Sequence, residues 1–487
     1  MSDPLPAAAT RAPSLADKLL YGVGEMPITV MMVLFGIFVL FFYNSVMGLP
    51  ATWVGAGIFL GLVVDALADP YVGYLSDRTR HRFGRRHAFM LPGALLMGPC
   101  LFLLFSPPRN LGHAGLFVWL LLCSLALRVT SAVYRIPYLS LGAELTRDHD
   151  GRTVIVAVRA LFGLLGMLAG AGLSFLLFFP TTGSGDPKLY YGGYPQMGLV
   201  FGALMSGAGL VSTAGTWRYR TAGRPDPQRD TLRFFAGFQA AMRNQAFRSI
   251  WFSFTLFFLG VVLNATLALH YFTWYAQIHA GAALSTIQTA FYTGAMAGVL
   301  CWLALARRAE KKTLYLAATL ATALLLCGAT VLVGPGRPFG TGNPLPLVIG
   351  HALAGLLASA VWVIPASMAA DVADWDELTT GLRREGMFFG ILNFGEKIAA
   401  GGAVLAAGVL LGASGKLLPR VPSGAPASAS AIAFLYGVAP AAVLLAAAAC
   451  VVPYRLNRRT VREVQHTLDA SRGSATPVKS VGTALPV

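Results

Sequence analysis

Apolar residues fill windows of eighteen or more positions along the whole chain, and short polar loops separate those windows. A helix of about that length crosses the hydrocarbon core of a bilayer. The pattern predicts twelve such helices, at about 18–46, 51–76, 88–107, 115–142, 156–179, 196–217, 249–275, 281–305, 313–334, 346–371, 387–412 and 430–453. They are called spans one to twelve below. An even count puts both termini on the same side. The loops test that count independently. One alternate set carries Arg78, Arg80, Arg82, Arg85 and Arg86, then Arg147 and Arg152, then Arg307, Arg308, Lys311 and Lys312, then Arg383 and Arg384. The other set holds only Arg109, Lys188, Arg337, Lys416 and Arg420. Positive charge collects on the cytoplasmic side of membrane proteins, so both termini are expected there.

The same pattern sets the expected organisation. Residues 1–17 form a cytoplasmic segment, and 18–217 form a first six-helix bundle. A cytoplasmic linker follows at 218–248; it passes through Gly223 to Pro227 and turns amphipathic around Leu232 to Phe247. Such a helix can lie on the inner leaflet or serve as a solvated linker. A second bundle occupies 249–453, and a basic, polar tail at 454–487 is expected to be disordered. The two halves echo each other. Span four carries Ile136-Pro137 and ends near Glu144, while span ten carries Ile364-Pro365 and ends near Asp371. Repeated halves are a common transporter plan. The expected fold class is an all-α membrane protein with two pseudo-symmetric six-helix bundles.

Composition agrees. Of 487 residues, 56% are hydrophobic and only 12% are charged, against roughly 25% charged in a soluble domain. Mean hydropathy is +0.63. The net charge of +16 would suggest a nucleic-acid partner on a soluble chain. Here it lies in membrane loops, so the expected partners are the bilayer and a small solute, with no nucleic acid. The first sixteen residues lack a cleavage site after a short apolar core, so no cleaved signal is read. The five cysteines fall in or beside apolar spans without metal-like spacing. No nucleophile elbow, paired-histidine metal motif or nucleotide-binding loop occurs. An enzyme and ATP-driven transport are both disfavoured.

Candidate chemistry concentrates in Asp65 to His87, DALADPYVGYLSDRTRHRFGRRH. Asp65 and Asp69 are one turn apart, so both face one side of span two. Each charge at bilayer depth opposes insertion by roughly 2.5–3.5 kcal/mol. Paired carboxylates can supply oxygen ligands to Na⁺, or share a proton because like charges raise one pKa. The alternative is a structural pair with an arginine on another helix. Gly73 permits close helix contact, and Asp77 can pair with a nearby arginine such as Arg78 or Arg85 to form a gate element. Span one adds Tyr21 and Glu25, and span four adds Arg128 and Arg135, seven residues apart on one face. Span seven holds Asn264 and His270, the latter expected at an interface. Span eleven holds Asn393, Glu396 and Lys397. Seven membrane charges at about 3 kcal/mol each must face one another or a wet cavity.

These residues resemble the signature of the major facilitator superfamily, and more narrowly the glycoside-pentoside-hexuronide:cation symporters, typified by the melibiose permease. The resemblance rests on the paired aspartates ahead of Pro70, Asp77-Arg78-Thr79-Arg80 with Gly84-Arg85, Ile136 to Thr153, and Ala370 to Gly386 followed by Lys397. It implies that Asp65 and Asp69 bind a coupling cation, Na⁺ or H⁺, with no other cofactor. It also implies substrate contacts at Arg159, Trp362 and Lys397. Three positions depart from the family pattern: Arg135 stands where an acid is expected, Thr29 replaces a sugar-binding acid, and Leu139 replaces a sugar-stacking tryptophan. A guanidinium at Arg135 can occupy the place of the cation, which favours proton coupling or uncoupled transport. The expected function is secondary active transport in the cell membrane, by alternating access, of a sugar, glycoside or uronide. Glu25, Arg135, Arg159, Trp362 and Lys397 are the expected substrate contacts. Alternatives are a lysolipid-like amphiphile or organic anion as cargo, and a receptor or enzyme on the same fold.

Overall fold

The computed structural model describes residues 13–79, 81–145, 149–180, 186–220, 234–381, 384–417 and 429–473. Among them, twelve helices are long and apolar enough to cross a membrane. They are Leu15–Val46, Ala51–Arg78, His87–Leu104, His113–Gly142, Val154–Phe178, Gly193–Gly215, Gln245–Tyr275, Gly281–Ala306, Lys311–Leu332, Leu345–Thr380, Gly386–Ser414 and Ser430–Val451. Each coincides with one expected span, and no strand occurs among the described residues. The chain is an all-α membrane protein. Arg80, Arg147, Arg383, Arg420, the stretch Gly223 to Pro227 and Leu232 lie outside the described residues.

The helices form two compact units. The first contains residues 1–231 with 278–289 and 404–419; the second contains 232–277, 290–403 and 420–487. The division near residue 231 falls inside the expected linker. The beginning of span eight and the end of span eleven group with the first unit, which sequence pattern did not foresee.

In the first unit, span three packs on spans four and six, span two on span four, and span one on spans five and six. Lipid tails are as apolar as leucine, so burial alone does not drive these contacts; close backbone approach does. Gly98 of span three shows how: a Cβ there would collide with the Gly202 carbonyl of span six. Away from the basic loops, Phe38, Phe42, Phe105, Phe175, Phe179 and Tyr194 form a ring cluster with centroids 4.4–6.5 Å apart. In the second unit, span seven packs on span twelve and span nine on spans ten and twelve. Its core joins Phe247, Trp251, Phe257, Tyr315, Ile364, Met368 and Phe388.

The amphipathic stretch of the linker is a helix over Phe234–Arg243. The tail corrects an expectation. Residues 454–487 were expected to be disordered, yet Arg458–Gly473 is a helix. Asn457 caps it by accepting from the Thr460 backbone at 2.9 Å. One face buries Val464 and Leu468 against Leu378 and Trp375 of span ten. Spaced four apart, those two side chains share a helix face, and that contact orders a segment whose composition is otherwise polar.

Candidate functional site

Spans two and four of the first unit run the same way and set acids against arginines. Asp65 is buried on span two. Its charge acts on Arg128 of span four, which is also buried. Gly61 leaves room for that guanidinium: a Cβ there would lie 3.2 Å from Arg128 Nε. The other face of Arg128 rests on the Phe35 ring, 4.4 Å from its centroid. One turn further, Arg135 donates to Asp69 Oδ2 at 2.5 Å. Four residues on span two thus match seven on span four, and both steps keep one helix face. Pro137 sits inside span four just beyond Arg135; it removes one backbone hydrogen bond there.

A third acid–arginine pair joins spans one and five. Arg159 Nε lies 3.5 Å from Glu25 Oε2. Around this pair stand tyrosines with almost no exposed surface: Tyr21 stacks on Tyr138 at 4.6 Å, and Tyr138 stacks on Tyr134 at 5.5 Å. The Tyr21 hydroxyl donates to the Tyr138 carbonyl at 3.4 Å. Thr29, at the position of the family's sugar-binding acid, donates instead to the Glu25 and Met26 carbonyls of its own turn. The half-buried Leu139 lies one residue beyond Tyr138. Of the three, Tyr21 was named from sequence, while Tyr134 and Tyr138 were not singled out; their spacing was the only sign of them.

Asp69 and Glu25 therefore each face an arginine, and the buried Asp65 lies within electrostatic reach of a third. Isolated charges at this depth are costly, and pairing removes most of that cost. Chemically, the ladder can exchange partners: a guanidinium that releases a carboxylate can bind an anion or a hydroxyl-rich solute with its planar donor fork. Among the described residues, no three histidine, cysteine or acidic side chains gather into a metal-binding group.

Two of the four expected gate residues, Asp77 and Arg85, join one cluster through Arg86 and Glu144 where span two enters the basic loop. Arg86 is the hub. Its Nη1 reaches Asp77 at 2.5 Å and the Ser76 hydroxyl at 2.6 Å, and its Nη2 reaches Glu144 at 2.8 Å. Arg85 adds a second bond to Glu144 at 2.6 Å. Arg78 stays outside the cluster, over the Tyr74 ring at 4.2 Å. Gly73 faces Ile136 of span four, its nearest side-chain neighbour at a Cβ distance of 3.5 Å. Sequence reading named Asp77 and Arg85 but not Arg86 as the centre.

The remaining expected contacts lie in the second unit. Trp362 of span ten is 39% exposed, and Lys397 of span eleven is half-buried. Asn264 donates to the Tyr436 carbonyl at 2.8 Å, a packing role. His270, expected at an interface, is instead buried.

Comparison with known proteins fits this architecture. Residues 20–458 match the family described as MFS/sugar transport protein. The chain is 25% identical to an uncharacterized symporter of Synechocystis sp., over 93% of this chain and 96% of that one. It is also 25% identical to a putative glycoside/cation symporter of Escherichia coli, over 80% and 82% of the two chains. Among solved structures, a bacterial homolog of the human lysosomal transporter Spinster, in an inward-facing and unoccupied conformation, aligns with a TM-score of 0.63. That likeness is 14% identical and covers 95% of this chain and 98% of the other. The chain belongs to the MFS/sugar transport protein family. It is a membrane transporter and not an enzyme, and its relatives of symporter type imply a small-molecule solute and cation coupling.

Proposed function

We propose that this member of the family is a cation-coupled symporter of a sugar, glycoside or uronide. It resides in the plasma membrane with both termini cytoplasmic and works by alternating access. The observation that carries the reading is the set of acids and arginines at membrane depth in one unit: Asp69 pairs with Arg135 at 2.5 Å, Glu25 lies 3.5 Å from Arg159, and the buried Asp65 and Arg128 lie within electrostatic reach of each other. Arginine forks suit carboxylate and vicinal hydroxyl groups, and a carboxylate that loses its arginine needs a cation in exchange. Cargo and cation binding are thereby linked through shared partners, which is what coupling requires. Arg135 and Arg159 are the cargo-facing cations, and Asp65, Asp69 and Glu25 are the candidate cation-binding carboxylates. Trp362 and Lys397 remain proposed cargo contacts on residue type.

The test uses the full chain in proteoliposomes with radiolabelled methyl β-D-glucoside and methyl β-D-glucuronide. An imposed Na⁺ or H⁺ gradient is expected to concentrate at least one of them inside, and collapsing the gradient with an ionophore is expected to abolish accumulation. Equal downhill uptake with and without every gradient would remove the coupling half of the proposal. Uptake of neither glycoside would remove the cargo.

A further inference from the structure

At the end of the first unit away from the basic loops, three charged or titratable groups gather that the transport reading does not use. Asp186 and Lys188 lie in the loop between spans five and six, and His279 lies in the turn between spans seven and eight. Lys188 is fully buried. Its Nζ lies 2.7 Å from Asp186 Oδ1, donates to Asp186 Oδ2 at 2.8 Å and donates to the Ile278 carbonyl at 3.1 Å. An ammonium has three donors, and this one ties the two loops together. His279 Nδ1 sits 2.7 Å from Asp186 Oδ2; the imidazole side chain is 46% exposed and the carboxylate 5%. The Tyr194 hydroxyl of span six donates to the Lys188 carbonyl at 2.7 Å and fixes the loop from behind. Span eight then starts in close contact with span five: a Cβ on Gly281 would collide with the Phe175 and Phe179 carbonyls. The backbone between these loops is held against its preference. Among the described residues, Gln277 is the one non-glycine with positive φ, at 55°. A side-chain-bearing residue keeps that conformation only where its surroundings impose it. Here the next two residues are the ones that Lys188 and Asp186 hold. The division between the two compact units falls at the same point, between Gln277 and Ile278.

We infer that Asp186, Lys188 and His279 form an outer clasp that parts each time the transporter opens at this end, and that acid on the outer side tightens the clasp through His279. In chain order span eight belongs to the second six-helix bundle, yet residues 278–289 group with the first unit, and these loops are what fasten them there. Asp186 is the acid that bears on Lys188. Without it a buried ammonium is stranded and both loops are released. The sign of the proton effect follows from the contacts. A neutral imidazole donates one hydrogen bond to Asp186, and an imidazolium makes the same bond charge-assisted and stronger. The charged groups that face His279 are Asp186, in direct contact, and Lys188 on the far side of that carboxylate. Arg109, from the loop between spans three and four, rests on the Tyr191 ring at 4.2 Å. Attraction to the nearer carboxylate therefore outweighs repulsion from the ammonium behind it. Histidine is the side chain whose charge ordinarily changes between pH 5 and 8, so the clasp is tighter in acid and looser above neutrality. This regulation needs no particular cargo or coupling ion, and it goes beyond the symport reading: it governs the opening that comes before either binds.

The experiment reads the opening directly. Ser285 is half-buried on span eight and faces Gly172 of span five, so a thiol placed there is reached from outside only when those helix ends separate. The full chain carrying Ser285→Cys is expressed in cells and treated with a membrane-impermeant maleimide at external pH 5 and pH 8, the limits of ordinary histidine titration. Labelling of that cysteine is measured by mass spectrometry of the purified chain. Each rate is divided by the rate for the denatured chain at the same pH, which removes the titration of the thiol itself. With the clasp intact, labelling is expected to be about threefold faster at pH 8 than at pH 5, the scale of one part-exposed ion pair. His279→Gln keeps a hydrogen-bond donor but cannot gain charge, and it is expected to label at one rate at both pH values. Asp186→Asn is expected to label at least about tenfold faster than the intact clasp at pH 5, because a buried pair is broken. Equal rates at the two pH values with the clasp intact would overturn the inference, as would a pH effect that survives His279→Gln or an Asp186→Asn rate no faster than with the clasp intact. No labelling of any variant at either pH would overturn it too, by removing the opening at this end. If Asp186→Asn fails to reach the membrane, His279→Gln decides alone, since its exposed position carries little of the fold. Cargo and coupling ion play no part in the measurement, so a failed glycoside assay leaves this result standing, and a failed labelling assay leaves the symport reading standing.

Discussion

Both units tie their helices together at the end facing the basic loops, and they do it differently. In the first unit, two adjacent arginines from the loop before span three converge on acids from spans two and four: Arg86 on Asp77, Ser76 and Glu144, and Arg85 on Glu144. In the second, lysines make the ties: Lys311 at the start of span nine reaches Asp371 of span ten at 2.6 Å, and Lys312 donates to the Val452 carbonyl at 2.6 Å. Arg384 closes a local pair with Asp376 at 2.7 Å. The second unit then adds an element that the first lacks among the described residues. The helix Arg458–Gly473 bonds Glu310 through the Arg458 backbone at 3.1 Å, the Ala306 carbonyl through Arg458 Nη2 at 2.8 Å, and Asp374 through Gln465 at 3.1 Å. A guanidinium presents five donors in a fixed plane and can join three partners at once, while an ammonium is a point charge on a flexible stem. Where lysine replaces the arginine fork, an extra helix supplies the missing cross-links.

Breaking the first unit's hub should have the largest effect. Arg86→Ala leaves Asp77 and Glu144 short of a partner in a poorly hydrated corner, and loss of one member of a buried ion pair costs about 3–5 kcal/mol. The purified chain is expected to melt at clearly lower temperature, and Arg86→Lys to recover only part of the loss because it cannot reproduce the fork. Melting of Arg86→Ala within error of the parent would mean that Arg85 alone carries the latch. The second unit should lose less on removal of its added helix. Ending the chain after Asn457 exposes the face of span ten that Val464 and Leu468 cover. Burying each side chain contributes about 1.5 kcal/mol, so a total near 3 kcal/mol is expected, read as a smaller drop in melting temperature. An unchanged melting curve would sever the proposed exchange of lysine-plus-helix for arginine.

How far these arrangements could be read in advance depends on the kind of information each needs. The twelve spans were legible because lipid tolerates little ambiguity: length and apolarity decide them. Asp77 and Arg85 were legible as ion-pairing residues because a charge at a helix end invites a partner. Arg86 was missed because it and Arg85 are identical neighbours, and the turn at His81 to Gly84, with Gly84 at φ 83°, decides which one turns inward. The helix Arg458–Gly473 was missed because few apolar residues mark its face, and their value depends on Leu378 and Trp375, which lie far away in sequence. At the candidate site, the acids and arginines were all visible as membrane charges. Their pairing was not, since matching four residues on span two to seven on span four depends on how the two helices pack. Arg135 in place of an acid put a guanidinium near Asp65 and Asp69 without saying which it would meet; it pairs with Asp69.

The subtlest contrast concerns two tyrosines beside the latches. Tyr219, in the first unit, is satisfied on both sides: Arg218 donates to its oxygen at 2.8 Å, and its hydroxyl donates to Asp17 Oδ2 at 3.3 Å. Burial raises its pKa, and Arg218 pulls it back. Tyr454, in the second unit, is buried with an unpartnered hydroxyl. Burial is the main cause that pushes its pKa above the usual 10, and the nearby Asp371 and Glu310 add to the rise. The sign of the consequence follows from proton counting. Above pH 10 the unfolded chain has released this proton while the folded chain still holds it, so stability falls as pH rises, by at most about 1.4 kcal/mol per unit for one group. Below pH 10 both states hold the proton and nothing changes. Tyr454→Phe is therefore expected to flatten the decline of melting temperature between pH 9.5 and 10.5. Tyr219→Phe should flatten it less, because the cation beside it already eases ionisation. Lysines elsewhere titrate over the same range, but they do so in parent and variants alike, so the difference between curves isolates the phenol. Equal slopes for the two variants would mean that the acids beside Tyr454 are too well hydrated to matter, and that the two latches differ in geometry but not in electrostatic character.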